Sequence, residues 1–260
     1  MGLLLKEGID IDLIETALIA FCSIGFLILL INYFPILKSR LPNYSLQLAG
    51  LIGNTSFLGI PIAIALLPTN TINFSIGFDL GTTLFAWIFG PFFLQKKENS
   101  NVLNIKELLK RILGSPATRG IIGVLIAYLF KLETFLGDYL WIPARIVIFL
   151  AIVVVGTRLG IITNNKNKFF NLSKEIKYSI ILKLFILPLF IFLICNILNF
   201  NLNETSAVVL AAATPSAVST ILMAEAYKTK QKTAATIFFT ATLISIITIP
   251  ILAFLLNISK

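Results

Sequence analysis

The chain contains no histidine. That removes the commonest general base and the commonest metal-ligating side chain. Its two cysteines, Cys22 and Cys195, lie far apart, each inside an apolar run. They read as small core residues, and neither a disulfide nor a metal site is expected of them. Charge is scarce as well: 13% of the 260 residues are Asp, Glu, Lys or Arg, where a soluble domain carries about a quarter. There is no lysine-bearing phosphate loop, no dinucleotide fingerprint, no cysteine pair and no Ser-His pair. The chain is therefore expected to be no enzyme and to use no cofactor, and it has no segment that reads as the nucleotide domain of an ATP-driven pump.

What the chain has in excess is apolar surface. Hydrophobic residues make up 57% of it, with a mean hydropathy of +0.94. Such a chain has lipid as its solvent. The formal charge of +9 does not point to nucleic acid, because the Lys and Arg residues fall between the apolar runs, which is the membrane pattern.

A membrane helix needs about 20 mostly apolar residues. Eight stretches qualify: span A 13–37, B 45–67, C 71–95, D 117–132, E 138–162, F 176–199, G 204–226 and H 233–257. Breakers sit inside several of them: Gly53, Gly59 and Pro61 in B, Pro188 in F, Pro215 in G and Pro250 in H. Every second loop is basic. Lys38 and Arg40 follow A. Lys96, Lys97, Lys106, Lys110, Arg111 and Arg119 follow C. Lys166, Lys168, Lys174 and Lys177 follow E, and Lys228, Lys230 and Lys232 follow G. The loops between these carry acids or nothing. Basic loops face the cytoplasm, so the expectation is a multi-pass protein of the plasma (inner) membrane with both termini on the non-cytoplasmic side. The N-terminal acids Glu7, Asp10 and Asp12, without a basic n-region, predict no removable signal peptide. Within the polar connection 96–118, Val102–Leu113 reads either as an amphipathic surface helix or as a solvated linker.

The order of elements suggests a repeat. Span B has a polar centre, Gly53-Asn54-Thr55-Ser56, and span G has Thr214-Pro215-Ser216-Ala217-Val218-Ser219-Thr220. Each lies between two longer apolar spans, and loop charge gives A-B-C and F-G-H opposite topologies. Paired interrupted helices in inverted halves point to a carrier binding site. The second half has two further spans, D and E, ahead of its triplet; the first half has none. The expected fold is therefore an all-α integral membrane protein with eight transmembrane helices, an incomplete five-plus-five inverted repeat lacking its first two. The domains read as 1–95 (first three transport spans), 96–118 (cytoplasmic linker), 119–162 (scaffold pair) and 163–260 (second three transport spans).

The chemistry concentrates at the two breaks. Asn54, Thr55 and Ser56 put an amide and two hydroxyls at mid-membrane depth. Pro61 lacks an N–H, and its ring clashes with the carbonyl of Phe57 in a regular helix. The helix is expected to break there, leaving a half-helix N-terminus that suits a carboxylate; the alternative is a plain kink satisfied by nearby hydroxyls. In G, Pro215 frees backbone groups around Ala211, and Ser216, Ser219 and Thr220 offer hydroxyls. The alternative there is small-residue packing through Ala211, Ala212, Ala213 and Ala217.

Gly53-Asn54-Thr55-Ser56-Phe57-Leu58-Gly59-Ile60-Pro61 resembles the first crossover motif of the auxin efflux carrier family. Thr214-Pro215-Ser216-Ala217-Val218 with Met223-Ala224-Glu225-Ala226-Tyr227 resembles the second crossover and the turn after it, and Lys183-Leu184 with Pro188 resembles the helix before it. The likeness runs over about residues 13–257. It implies ten helices in a scaffold and a moving transport domain, an elevator-like motion, and small organic anions as substrates. Ser219 departs from the pattern, since bacterial members often carry Asn four residues after the crossover proline. The substrate-binding residues so expected are Asn54, Thr55, Ser56, Gly59, Pro61, Pro215, Ser216 and Ser219.

A deep carboxylate costs about 2.5–3.5 kcal/mol on insertion scales and needs a partner or a function. Asp79, about eight residues into span C, reads either as a proton or cation coupling site or as a group in a wet outer vestibule. Glu225 is expected to pair with Lys228. Arg145, Arg158 and Lys183 are expected to snorkel towards the interfaces. Trp87, Trp141, Tyr128 and Tyr139 read as interfacial anchors or packing rather than a substrate cage. Three functions follow: a carrier of small mono- or dicarboxylates, with lipid and a possible second copy as its partners; a sodium-coupled carrier resembling bile-acid symporters; and a truncated membrane subunit that transports nothing.

Overall fold

The computed structural model describes Leu5 and residues 8–94, 113–114, 116–163 and 172–258, and among these every regular element is helical. The amphipathic stretch Val102–Leu113, but for Leu113 itself, lies outside the described residues, as do Lys166 and Lys168 and the side chains of Arg145 and Arg158.

Helix α1 (Ile11–Tyr33) starts at Asp10, whose carboxylate accepts the Leu13 N–H at 2.8 Å. That contact satisfies one of the N–H groups a helix start leaves unpaired. A short α2 (Pro35–Arg40) opens on proline, which costs nothing at a first helical position. Span B is two helices, α3 (Tyr44–Leu51) and α4 (Ile60–Leu66), separated by non-helical residues and a π turn at Thr55–Gly59. Then come α5 (Ile72–Leu94), α6 (Pro116–Leu129) and α7 (Glu133–Thr163). Helices α8 (Lys174–Ile181) and α9 (Leu187–Ile197) form one rod, joined by a second π turn at Leu182–Ile186. Span G is α10 (Leu202–Ala212) and α11 (Val218–Ala226). The first of these is started by a reciprocal capping box between Asn201 and Glu204. Helix α12 (Gln231–Leu255) closes the chain.

Among the described residues, four helices are long and apolar enough to cross a membrane: Ile11–Tyr33, Thr69–Leu94, Lys174–Ile197 and Gln231–Leu255. Of the other four expected spans, B and G are interrupted near their middles, and D and E correspond to α6 and α7. The helices turn large apolar side chains outward as well as inward. Leu29 is 71% exposed, Ile246 66% and Phe254 81%, an arrangement that suits a lipid solvent. Cys22 joins this outward set, against the expectation of a core residue, whereas Cys195 is buried; both are free thiols.

Not every proline breaks its helix. Pro250 lies inside an uninterrupted α12, and Pro91 and Pro143 lie inside α5 and α7. A single lost N–H is tolerated where the turns on either side stay paired.

The tightest helix contact joins α1 to α5 through Gly77 and Gly81, a glycine pair four residues apart that lets backbones approach closely. A Cβ on Gly77 would stand 2.1 Å from Thr16 Oγ1, and one on Gly81 2.0 Å from the Ala17 carbonyl oxygen. The second obstacle is backbone and cannot swing aside. Gly81→Ala is accordingly expected to push α5 off α1 and to lower stability by about 1–3 kcal/mol, the usual cost of overpacking. Gly120→Ala, which meets nothing within 4 Å, serves as its control. Thermal unfolding of both variants in detergent checks this, and equal melting temperatures would refute it.

Candidate functional site

The two broken segments meet. After Ile52 the chain leaves the helix and runs antiparallel to the stretch around Ser216, with Gly53 opposite Ser216. The Asn54 N–H donates to the Pro215 carbonyl at 2.8 Å, and the Ala217 N–H donates to the Ile52 carbonyl at 3.0 Å. Each break thus supplies backbone partners that the other lacks, which matters where there is no water to supply them. Gly53 is required here. A Cβ at that position would stand 2.6 Å from Thr214 Oγ1 and 3.0 Å from Lys183 Nζ.

Pro215 cannot bond to the Ala211 carbonyl, four residues before it. Thr214 Oγ1 donates to that oxygen instead, at 2.8 Å. The next carbonyl, Ala212, accepts from Lys183 Nζ at 2.6 Å. Lys183 is 0% exposed. This corrects the expectation that it snorkels. Its ammonium caps the carbonyl end of α10, where the helix dipole favours a cation, and that demand holds it inside. The break in span B is also displaced from where Pro61 placed it. The chain leaves the helix at Ile52, and Pro61 is the second residue of α4. The wide π turn before it absorbs the missing N–H, so no helix end forms at the proline itself.

Beyond the crossing, two helices begin side by side. One starts at Thr55 and the other at Val218. Both carry N–H groups that no intrahelical carbonyl accepts. A cavity of about 160 Å³ lies between them, and Asn54, Thr55, Ser56, Asp79 and Ser219 line it together with Thr83 and Trp87. Four of the eight expected binding residues are thus brought into one hollow, with Asp79. The other four are not. Gly59 packs against Thr214 and Ala211. Pro61 lies in α4, and Pro215 turns its carbonyl to Asn54. Ser216 is fully buried, with its hydroxyl 3.4 Å from that of Thr220.

Asp79 faces the first helix start. Its Oδ1 accepts from the hydroxyls of Thr55 and of Ser56, the latter at 2.6 Å. The side of α5 that carries it follows from Gly77. Two residues on is about 200° round the helix, so the glycines face α1 and Asp79 faces the cavity. Asn54 is 3% exposed, and its Nδ2 has no hydrogen-bond partner among the described residues. A buried amide donor left unpaired costs about 1–3 kcal/mol unless a ligand or water meets it.

Thr83 and Trp87 are not expected at a site from the sequence; one and two turns beyond Asp79 on α5, they share its face. Glu225 and Lys228 are both exposed, and no ion pair between them occurs among the described residues; a backbone bond, Lys228 N–H to the Glu225 carbonyl, joins them instead. Larger hollows of about 370 and 650 Å³ open beside α9 and α12. Apolar side chains dominate their linings and no set of polar groups converges on them, so neither has the makings of a polar binding site.

A family model described as membrane transport protein matches residues 3–253 of the chain. No curated protein matches it.

Lys183→Met keeps the length and apolar stem of the side chain and deletes the donor to Ala212. The expected result is a loss of about 1–3 kcal/mol, from the carbonyl left unpaired. Thermal unfolding in detergent measures it. An unchanged melting temperature would show that the ammonium does not hold the end of α10.

Proposed function

The chain belongs to the membrane transport protein family of auxin efflux carrier type, whose members are multi-pass secondary transporters and not enzymes, and we propose that it moves small organic anions through the crossing of its two broken segments. The observation that carries this reading is the Asn54 amide: a buried, unpartnered donor on the wall of a polar hollow at two helix starts. Helix N-termini and an idle N–H donor together suit a carboxylate. Ser219, on the second helix start, adds a hydroxyl. The hollow holds about five waters' worth of volume at ~30 Å³ each, which fits a small metabolite.

In this reading the crossing and the helices packed on it move together against a scaffold of residues 119–162, an elevator-type motion. Spans A-B-C and F-G-H are its inverted halves, set in a plasma membrane with both termini outside. A sodium-coupled version has one supporting feature, the Asp79 carboxylate beside the oxygens of Thr55 and Ser56, since hard cations take oxygen ligands. Sodium-dependent uptake would select it.

Asn54→Ala is expected to abolish substrate-dependent uptake into proteoliposomes while expression and melting temperature stay near those of the parent chain. Uptake at the parent rate would remove Asn54 from the binding site.

A further inference from the structure

The two helix starts at the crossing are chemically unequal. The first, at Thr55 and Ser56, already faces an anion, because the Asp79 carboxylate accepts from both hydroxyls. At the second, Val218 and Ser219, no carboxylate is bonded among the described residues, since Asp79, the carboxylate that lines the hollow, is bonded at the first. A buried donor without a partner among the described residues, Asn54 Nδ2, lies at the same crossing. The hollow therefore has room for one more carboxylate, at the second helix start, and not for two.

At its other end the hollow presents the opposite demand. Asp79 Oδ1 accepts from both hydroxyls, and no further side-chain donor bonds the carboxylate among the described residues. Among the described residues no Lys or Arg lines the hollow. The nearby cation, Lys183, is committed to the Ala212 carbonyl on the far side of Gly53. A second carboxylate on the ligand would be placed against Asp79, and like charges in a poorly solvated site repel strongly. An ammonium there would meet a carboxylate with acceptor capacity to spare.

Resting on the carrier reading above, we propose that the substrate is a small zwitterion, an α-amino acid. Its carboxylate lies at the Val218–Ser219 helix start with Asn54 Nδ2, and its ammonium lies on Asp79. The two charges of an α-amino acid are a few bonds apart, which matches a hollow of about 160 Å³. Asp79 then acts as a specificity residue: it selects the amino group and excludes dicarboxylates.

The test pairs each amino acid with its deaminated acid: alanine with propionate, 2-aminobutyrate with butyrate, and aspartate with succinate. Each is assayed on the purified chain by thermal shift and by proteoliposome uptake near neutral pH. The amino member of a pair is expected to be favoured by about tenfold or more, because a site built to bond a group rejects the analogue lacking it. Asp79→Asn keeps the shape and an acceptor for the Thr55 and Ser56 hydroxyls. It is expected to bring the members of each pair within about twofold of one another by weakening the amino acids. If the deaminated acids bind and the amino acids do not, the zwitterion assignment is overturned while the carrier reading stands. Preference for amino acids that survives Asp79→Asn overturns the role of Asp79. Should no compound of either series bind, the carrier reading fails and takes this one with it. Where Asp79→Asn does not yield folded protein, the paired comparison on the parent chain decides.

Discussion

A backbone that leaves its helix in an apolar medium must find new partners for its N–H and C=O groups, and the centre of this molecule is arranged around that demand. Neither broken segment meets it alone. Asn54 needs the carbonyl of Pro215, and Ala217 needs that of Ile52. What the mutual pairing leaves over is taken up by side chains, Thr214 for Ala211 and Lys183 for Ala212. The helix starts beyond the crossing are not consumed in this exchange. Residues of both starts, Thr55, Ser56 and Ser219, line the hollow together with Asn54. The site is thus a by-product of the pairing: two breaks that satisfy each other's extended backbone also place two helix dipoles at one point.

Two charges are then fixed on opposite sides of that point. Lys183 answers the carbonyl end of α10, and Asp79 answers the amide end at Thr55 and Ser56. Each obeys the sign the helix dipole prefers. Their placement depends on contacts remote from the hollow. Asp79 reaches it because Gly77 and Gly81 hold the opposite face of α5 against α1. Lys183 comes within contact of Gly53 because no side chain stands there.

The polar runs at the two breaks were legible from composition alone. An amide and hydroxyls amid apolar residues have few reasons to be there, and Asn54, Thr55, Ser56 and Ser219 do line one hollow. Gly59, Pro61, Pro215 and Ser216 belong to the same motifs but serve the crossing or its packing. Spacing along a chain does not separate a residue that builds a break from one that faces the hollow. Lys183 was misread for a related reason. Its distance from the end of its own span suggested reach to the interface, whereas its partner is the last carbonyl of another helix, Ala212 at the end of α10. The glycine pair at Gly77 and Gly81 was readable as a close-packing motif, and with it the face on which Asp79, Thr83 and Trp87 lie.

Pro61 and Pro188 show how a proline can reshape a helix without ending it. Each stands two residues beyond a π turn, Thr55–Gly59 in one case and Leu182–Ile186 in the other. A π turn takes one residue more than an α turn, which relieves the clash between a proline ring and the carbonyl four residues before it. The extra residue also shifts the register of the faces on either side. In the first case the widened turn carries Thr55 and Ser56 to Asp79. In the second it contains Lys183, turned inward to Ala212. Pro91, Pro143 and Pro250 lie within continuous helices. The π turns therefore do not follow from proline alone. They occur where a polar side chain has to be aimed at the crossing, and the proline is what makes the wide turn the cheaper conformation there.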